Sequence, residues 1–186
     1  MTAPRIVAGR YRGRRIAVPA DGAVRPTASR MREALFSRLS NDLVGARFLD
    51  LFAGSGAIGL EALSRGASSV LFVEKDHEAV RSISENLRTF GTGDEARVIR
   101  GDARSSLPNR PPAFDIVFAD PPYGSALADA VLPELVRRQL LHEKTIIVLE
   151  LAAREPFTPP VGFEAVDERR YGAGRLVTLR WTAPET

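Results

Sequence analysis

Two short stretches of the sequence combine residue types that could bind a ligand and act on it. Asp50-Leu-Phe-Ala-Gly-Ser-Gly-Ala-Ile-Gly59 sets a carboxylate four residues before three glycines with the spacing G-x-G-x-x-G. Asp120-Pro-Pro-Tyr123 sets a carboxylate, two prolines and an aromatic ring in succession. A glycine-rich turn lets backbone N–H groups approach a ligand closely, whereas the second stretch presents hydrogen-bond acceptors beside a stacking surface.

The Asp120 stretch suits a nucleobase that carries an exocyclic amine. The Asp120 carboxylate and the Pro121 carbonyl can accept the two N–H groups of such an amine, because prolines donate no hydrogen bonds of their own. Stacking of the base on Tyr123 would contribute about 1–3 kcal/mol. Two acceptors draw the weakly nucleophilic nitrogen towards tetrahedral geometry and direct its lone pair at a methyl carbon held in line, about 3–3.5 Å away. We therefore predict methyl transfer to an amine, with Asp120, Pro121 and Tyr123 as catalytic residues and no metal ion.

The glycine pattern alone matches dinucleotide-binding enzymes, but the acids around it favour another ligand. Asp50 would repel the two charges of a pyrophosphate and attract the ammonium and sulfonium groups of S-adenosylmethionine, which has no phosphate. Glu74 stands 20 residues after Gly54, where a carboxylate can accept hydrogen bonds from both ribose hydroxyls. Asp102 could accept a hydrogen bond from the adenine amine while the Ala103 N–H faces a ring nitrogen. The predicted cofactor-binding residues are Asp50, Gly54, Gly56, Glu74, Asp102 and Ala103.

These side chains must be positioned by strands and helices that the hydrophobic pattern predicts. Helical segments near residues 57–65, 77–90 and 126–140 alternate with five apolar runs, RFLDLF, SVLFVE, ARVIRG, FDIVFA and TIIVLEL. Such runs separated by helices are typical of parallel strands buried on both faces. The four acids named above then fall at the ends of successive strands, on the carboxyl edge where open α/β sheets bind ligands.

The two ends of the chain depart from this alternation. RIVAGRY and RRIAVP around Gly13 predict a short two-stranded unit, and a helix is expected from about Ser29, with Thr27 or Ser29 as its N-cap. Near the C-terminus, FEAVDERRY and RLVTLRW flank Gly-Ala-Gly and predict an antiparallel hairpin. The predicted fold class is α/β, an open, mostly parallel sheet with this terminal hairpin. We expect a basic N-terminal extension over residues 1–24 and one larger domain over 25–186.

Composition restricts the class of protein. The length of 186 residues suits one domain, and apolar and charged fractions of 44% and 26% are ordinary for a soluble globular protein. The lack of cysteine excludes disulfides, thiolate metal sites and a cysteine nucleophile. No apolar run approaches the roughly 20 residues of a membrane span, and the charged N-terminus lacks the apolar core of a secretory signal. A cytoplasmic protein is expected.

Positive charge is concentrated at the start of the chain. Residues 1–38 hold nine arginines and two acids, so the remainder carries a net charge of −4 within an overall charge of +3. This asymmetry suggests contact with nucleic acid, and the alternative is a solvated basic face. Arginine suits bidentate binding of phosphate.

The order and spacing of DLFAGSG and DPPY resemble those of class I S-adenosylmethionine-dependent amino-methyltransferases. A closer resemblance is to the RsmD family, the bacterial 16S ribosomal RNA (guanine-N2) methyltransferases. It is carried by RIVAGRYRGRRI, RPTASRMREALFSRL, LDLFAGSGAIGLEALSRGA, FVEKD and FADPPY. DNA amino-methyltransferases share motifs of the DPPY type, whereas the signature RPT-x-x-R-x-R-E-x-L-F points to the RsmD family. The resemblance covers nearly the whole chain and weakens after about residue 150.

The resemblance implies a seven-stranded, Rossmann-like methyltransferase sheet with an N-terminal β-hairpin extension. It implies S-adenosylmethionine as the cofactor, surrounded by Asp50, Gly54, Gly56, Glu74 and Asp102. It also implies that the residues of the DPPY motif hold the amine of a guanine in 16S rRNA, within an assembling or assembled small ribosomal subunit. We expect a monomer without metal or membrane partners.

With such a substrate, the basic N-terminus gains a role. We expect one group of arginines to bind RNA phosphates beside the active site and a second group of residues to lie at the mouth of the pocket. The first group is Arg10, Arg12, Arg14 and Arg15, and the second is Arg25, Thr27 and Arg30.

Three other functions remain open at this point. A DNA adenine-N6 amino-methyltransferase shares the DPPY chemistry, but it would normally need a target-recognition region for which 186 residues leave little room. A nicotinamide oxidoreductase fits the glycine pattern and conflicts with Asp50 and DPPY. A non-catalytic RNA-binding ribosome assembly factor could keep the same fold, although Asp120 and the glycine loop are intact.

Overall fold

The computed structural model describes residues 4–18, 26–109, 112–122, 124 and 127–182, with only the backbone of residues 26–29. The α-helices of this part of the chain are α1 (Pro26–Arg38), α2 (Ala57–Ser64), α3 (His77–Phe90) and α4 (Leu127–Arg137), and a 3-10 turn covers Gly93–Glu95. The strands are β1 (Arg47–Leu51), β2 (Ser69–Glu74), β3 (Ala96–Arg100), β4 (Ile116–Ala119), β5 (Ile146–Ala152), β6 (Phe163–Tyr171) and β7 (Gly174–Trp181).

The seven strands form one sheet in the order β3-β2-β1-β4-β5-β7-β6. The first five strands in this order pair in parallel, whereas β7 runs antiparallel between β5 and β6. The chain moves outwards from β1 through β2 to β3 and then returns to β4, so the strand order reverses between β1 and β4. A crevice opens at such a switch point, at the carboxyl ends of the two strands.

Each face of the sheet has its own core of apolar side chains. On one face, α1, α2 and α3 bury residues such as Phe48, Phe72 and Phe118. On the other face, α4 covers β1, β4 and β5 through residues such as Leu49 and Val131. The central strands are therefore buried on both sides, which is why their sequences read as unbroken apolar runs.

The N-terminal segment that precedes α1 is held by buried polar side chains of α2 and α3. The carboxylate of Glu61, which is 0% exposed, accepts hydrogen bonds from the backbone N–H groups of Val7 and Ala8 at 2.8 and 3.0 Å. Asn86 exchanges two hydrogen bonds of 2.8 Å with the backbone of Ala17. The backbone of the segment is thus held by partners that are far away in sequence.

The predicted two-stranded N-terminal unit is present as a tight turn with a single antiparallel bridge between Arg5 and Arg15. Ile6 and Ile16 from this turn belong to the core on the face of the sheet that α1, α2 and α3 cover. The division of the chain at residue 24 stays a prediction, because residues 19–25 lie outside the described part.

The fold class and the terminal hairpin are confirmed, and one helix start differs. α1 begins at Pro26, so Thr27 and Ser29 lie inside the helix and the prediction that one of them is its N-cap is wrong. Proline is favoured in a first helical turn because its missing N–H would have no partner there. Among the described helices, none is long and apolar enough to cross a membrane.

Candidate active site

Every parallel strand carries an acidic residue within two positions of its carboxyl end. In the spatial order of the strands these residues are Asp102, Glu74, Asp50, Asp120 and Glu150. Ala119 of β4 pairs with Leu149 of β5, which sets the next residues, Asp120 and Glu150, side by side. Because side chains alternate along a strand, Glu74, Asp50, Asp120 and Glu150 share the face that α1, α2 and α3 cover. Across the described residues, no three His, Asp or Glu side chains lie close enough together to hold a metal ion.

Asp50 is buried beneath the glycine loop. Its side chain is 1% exposed, and its Oδ2 accepts a hydrogen bond of 2.9 Å from the backbone N–H of Gly59 in α2. Burial raises the pKa of Asp50 well above its ordinary value, and the charges of Asp120 and Glu74 raise it further. A ligand with positive charge would relieve this repulsion, whereas a pyrophosphate would add to it.

Glu74 holds the glycine loop in place. Its two carboxyl oxygens accept hydrogen bonds of 2.8 Å from the N–H groups of Gly54 and Asp76, and the residue is 9% exposed. Sequence reasoning assigned this carboxylate to ribose hydroxyls, so such hydroxyls would have to use the lone pairs that these two bonds leave free. Phe52, at the start of the loop, has φ +59, a strained value for a residue other than glycine. Backbone strain of this kind is concentrated at functional sites.

Glycine is needed at the three positions of the loop for different structural reasons. Gly54 and Gly56 have φ values of +53 and +75, which side chains rarely adopt, and Gly56 caps the start of α2. At Gly59, a Cβ atom would lie 2.3 Å from the ring of Phe72. Gly59 therefore allows α2 to pack closely on β2, and this packing brings the positive end of the helix to Asp50.

Asp102 is already paired with a neighbour. The carboxylate accepts three hydrogen bonds of 2.6–2.9 Å from the guanidinium and backbone N–H of Arg104. These bonds lower the pKa of Asp102 to about 2. The side chain of Ala103 is buried, and a cavity of about 30 Å³ lies between Phe52, Glu74 and these residues. This cavity is much smaller than an adenine base, so a base in the predicted position would require some of the lining side chains to move.

Asp120 and Glu150 form the other end of the acidic row. Asp120 is open to solvent on one side, but protein surrounds its carboxyl group closely, and this partial loss of water raises the pKa of Asp120 to about 6. Glu150 is half-buried, and burial together with the negative charge of Asp120 raises the pKa of Glu150 to about 8. The two carboxyls therefore influence each other, because the negative charge of Asp120 favours the protonated form of Glu150.

Sequence reasoning missed two members of this site, Glu150 and Arg104. The signal for Glu150 is the charged letter inside the run TIIVLEL, which becomes meaningful once β5 is known to lie beside β4. Pro121 is buried directly after Asp120, and the acceptor role of its carbonyl stays a prediction. Tyr123 lies outside the described residues, and its stacking role stays a prediction.

Two of the predicted RNA-binding arginines, Arg10 and Arg14, have partners within the protein. Arg10 forms an ion pair with Glu95, just before β3, and Arg14 donates hydrogen bonds to the backbone of Thr89 and Phe90 at the end of α3. The 14 residues of α3 correspond to a length of about 20 Å, and the opposite end of the helix adjoins Glu74. Both arginines thus have partners within the protein, and their contact with RNA beside the active site stays a prediction.

The remaining predicted RNA-binding residues fall into two sets. Arg12 and Arg15 are exposed, and their guanidinium groups make no hydrogen bond to any other described residue. Arg30 is exposed in α1, next to Met31, whose side chain lies close to Gly174 at the start of β7. Arg25 lies outside the described part of the chain, and of Thr27 only the backbone is described.

Comparisons with known proteins agree with this fold. The family model described as conserved hypothetical protein 95 matches residues 4–180. Ribosomal RNA small subunit methyltransferase D of Escherichia coli is 40% identical over 78% of this chain and 73% of its own length. The enzyme of the same name from Haemophilus influenzae is 35% identical over 90% of this chain and 89% of its own length. The solved structure of yhhF from Escherichia coli superimposes with a TM-score of 0.87 at 35% identity, covering 98% and 99% of the two chains.

Proposed function

We propose that this chain, which belongs to the conserved hypothetical protein 95 family (the RsmD family), methylates the N2 amine of a guanine in 16S ribosomal RNA. The proposal depends most on one observation, the Asp120-Pro-Pro segment that follows β4 at the switch point, beside the buried carboxyl of Asp50. The relatives named as small-subunit ribosomal RNA methyltransferases support the choice of RNA as the substrate.

The proposed methyl donor is S-adenosylmethionine, which supplies an electrophilic methyl group on a sulfonium when it is bound. Asp50 and Asp120, which repel each other, would be stabilised by the positive charge of this ligand. Gly54 and Gly56 would let the backbone approach it, and Glu74 and Asp102 would accept its ribose and adenine donors. The guanidinium of Arg104 would then leave Asp102 and be hydrated by solvent.

In the proposed reaction, Asp120 orients the amine of the substrate. Its carboxylate accepts one N–H and the Pro121 carbonyl accepts the other, which directs the nitrogen lone pair away from the ring. Asp120 need not remove a proton beforehand, because the amine hydrogen becomes acidic only after methylation, when Asp120 or water can accept it. Most of the rate enhancement would come from orientation and from fixed electrostatic surroundings.

The activity should fall as the pH is lowered through about 6, since the ionised form of Asp120 is the stronger acceptor. Below this value we expect kcat/KM to drop by about tenfold per pH unit. The measurement is methyl transfer to small ribosomal subunits between pH 5 and 8, with Asp120→Asn as the control that should lack this inflection. A flat wild-type profile would contradict the role of Asp120.

We propose that the exposed arginines Arg12 and Arg15 bind RNA phosphates. Arg12→Ala/Arg15→Ala should weaken binding of small-subunit rRNA and reduce the slope of log affinity against log salt by about 1.5. Filter binding at several salt concentrations provides the measurement. Arg137→Ala on α4, on the other face of the sheet, serves as the matched control. An unchanged salt slope in the double variant would remove these two residues from the interface.

The proposed function is tested by mass mapping of methylated nucleosides in 16S rRNA from cells with and without this protein. One N2-methylguanine should depend on it. Methylation of duplex DNA instead of ribosomal subunits would favour the DNA adenine enzyme, and tight binding of a nicotinamide dinucleotide would favour an oxidoreductase. Loss of ribosome assembly without loss of any methyl group would favour a non-catalytic assembly factor.

A further inference from the structure

The described residues of the segment Asp120–Gly124, which are Asp120, Pro121, Pro122 and Gly124, make few hydrogen bonds through their backbone N–H groups. Pro121 and Pro122 have no N–H groups to donate. At its start, the Asp120 N–H reaches the carbonyl of Leu51 at 3.4 Å, which is long for a hydrogen bond. At its end, the Gly124 N–H donates to Oε1 of Glu155 at 2.9 Å. The stronger described anchor of the segment is therefore a side chain 31 residues further along the chain.

Glu155 is itself fixed to the sheet. It stands in the turn that follows β5, and its backbone N–H donates to the carbonyl of Ala152 at 3.0 Å. Its second carboxyl oxygen accepts the Ala152 N–H at 3.3 Å. The backbone carbonyl of Glu155 accepts a hydrogen bond from the guanidinium of Arg175 in β7, which also pairs with Glu168. One carboxyl oxygen is thus bound to the sheet, and the other is free to hold Gly124.

We infer that Glu155 is a positioning residue that fixes the exit of the Asp120–Gly124 segment relative to β5 and β7. The expected effect of Glu155 on the reaction rate rests on the proposed methyl transfer. Its expected effect on the position of the segment does not. A chain of hydrogen bonds runs from Arg175 through Glu155 to Gly124. It connects the antiparallel end of the sheet with the residues that would hold the target amine. Misplacement of such a segment by about 1 Å can cost about a hundredfold in rate.

Glu155→Ala tests this inference. We expect kcat for methylation of small ribosomal subunits to fall by about 10- to 100-fold, while the Kd for S-adenosylmethionine stays within about twofold. Glu155→Gln keeps one acceptor oxygen and should recover part of the rate. The matched control is Arg154→Ala, an exposed neighbour in the same turn, which should leave kcat unchanged.

A second measurement does not depend on catalysis. Hydrogen exchange of the Gly124 amide should be faster in Glu155→Ala than in the wild-type protein and in Arg154→Ala. Unchanged exchange, or faster exchange with kcat within about threefold of wild type, would overturn the positioning role. If the wild-type protein transfers no methyl group but exchange still depends on Glu155, the proposed function fails while the anchoring of this segment stands.

Discussion

Replacing Asp120 with asparagine should lower kcat/KM for methyl transfer by about 10²- to 10³-fold, a loss typical of removing one preorganised hydrogen-bonding group from an active site. Asparagine keeps the shape of the side chain but loses the negative charge and one acceptor oxygen. The target amine would then keep the Pro121 carbonyl as its only strong acceptor among the proposed pair. The measurement is transfer of labelled methyl groups to small ribosomal subunits.

A stability measurement separates this effect from misfolding. Asp120 raises the pKa of both Asp50 and Glu150 through its charge, so its neutralisation relieves repulsion in the folded protein. The unfolding temperature of Asp120→Asn should therefore stay the same or rise. Asp94→Asn, an exposed acid just before β3, is the matched control and should keep full activity. Undiminished methyl transfer by Asp120→Asn would falsify the proposed mechanism.

Glu61→Ala should produce the largest loss of stability, about 3 kcal/mol. The fully buried carboxylate accepts hydrogen bonds from Val7, Ala8 and the Nε of Arg65, so alanine would leave three donors without their partner. Breaking a buried ionic group in this way costs about 3–5 kcal/mol. For a chain of this size the unfolding temperature should drop by about 10 °C. Chemical denaturation and thermal unfolding provide the measurement.

Two observations would show that the loss comes from the N-terminal segment. The amides of Val7 and Ala8 should exchange with solvent faster in Glu61→Ala than in the wild-type protein. Glu85→Ala, an exposed glutamate on α3, should change stability by less than about 0.5 kcal/mol. If Glu61→Ala unfolds at the wild-type temperature, the hydrogen bonds of Glu61 contribute little to holding this segment.

Much of the sheet was predictable because one physical property identifies it. A strand buried on both faces must be apolar along its whole length, and the glycines and acids that interrupt such runs mark the carboxyl edge. Asp50, Glu74, Asp102 and Asp120 could therefore be assigned to one edge before any coordinates were known. Glu150 could not, because it lies within an apolar run and its significance depends on which strand lies beside β5.

The sequence did not predict which partners the individual charged side chains bind. Arg10 and Arg14 count as basic residues in any composition, but their partners, Glu95 and the end of α3, are brought to them only by the tertiary fold. Arg104 pairs with an acid only two residues before it, Asp102, which sequence reasoning had assigned to a ligand. Pairing of this kind depends on side-chain position, which hydrophobic periodicity does not encode.

The polar contacts of the N-terminal segment also set an order of events during synthesis. Val7, Tyr11 and Ala17 are bound by side chains that lie 54, 53 and 69 residues later in the chain. At a translation rate of about 5–20 residues per second, those partners are made several seconds after the segment that they hold. During synthesis this segment can therefore gain these hydrogen bonds, and Arg14 its contacts with the end of α3, only after α2 and α3 have been made.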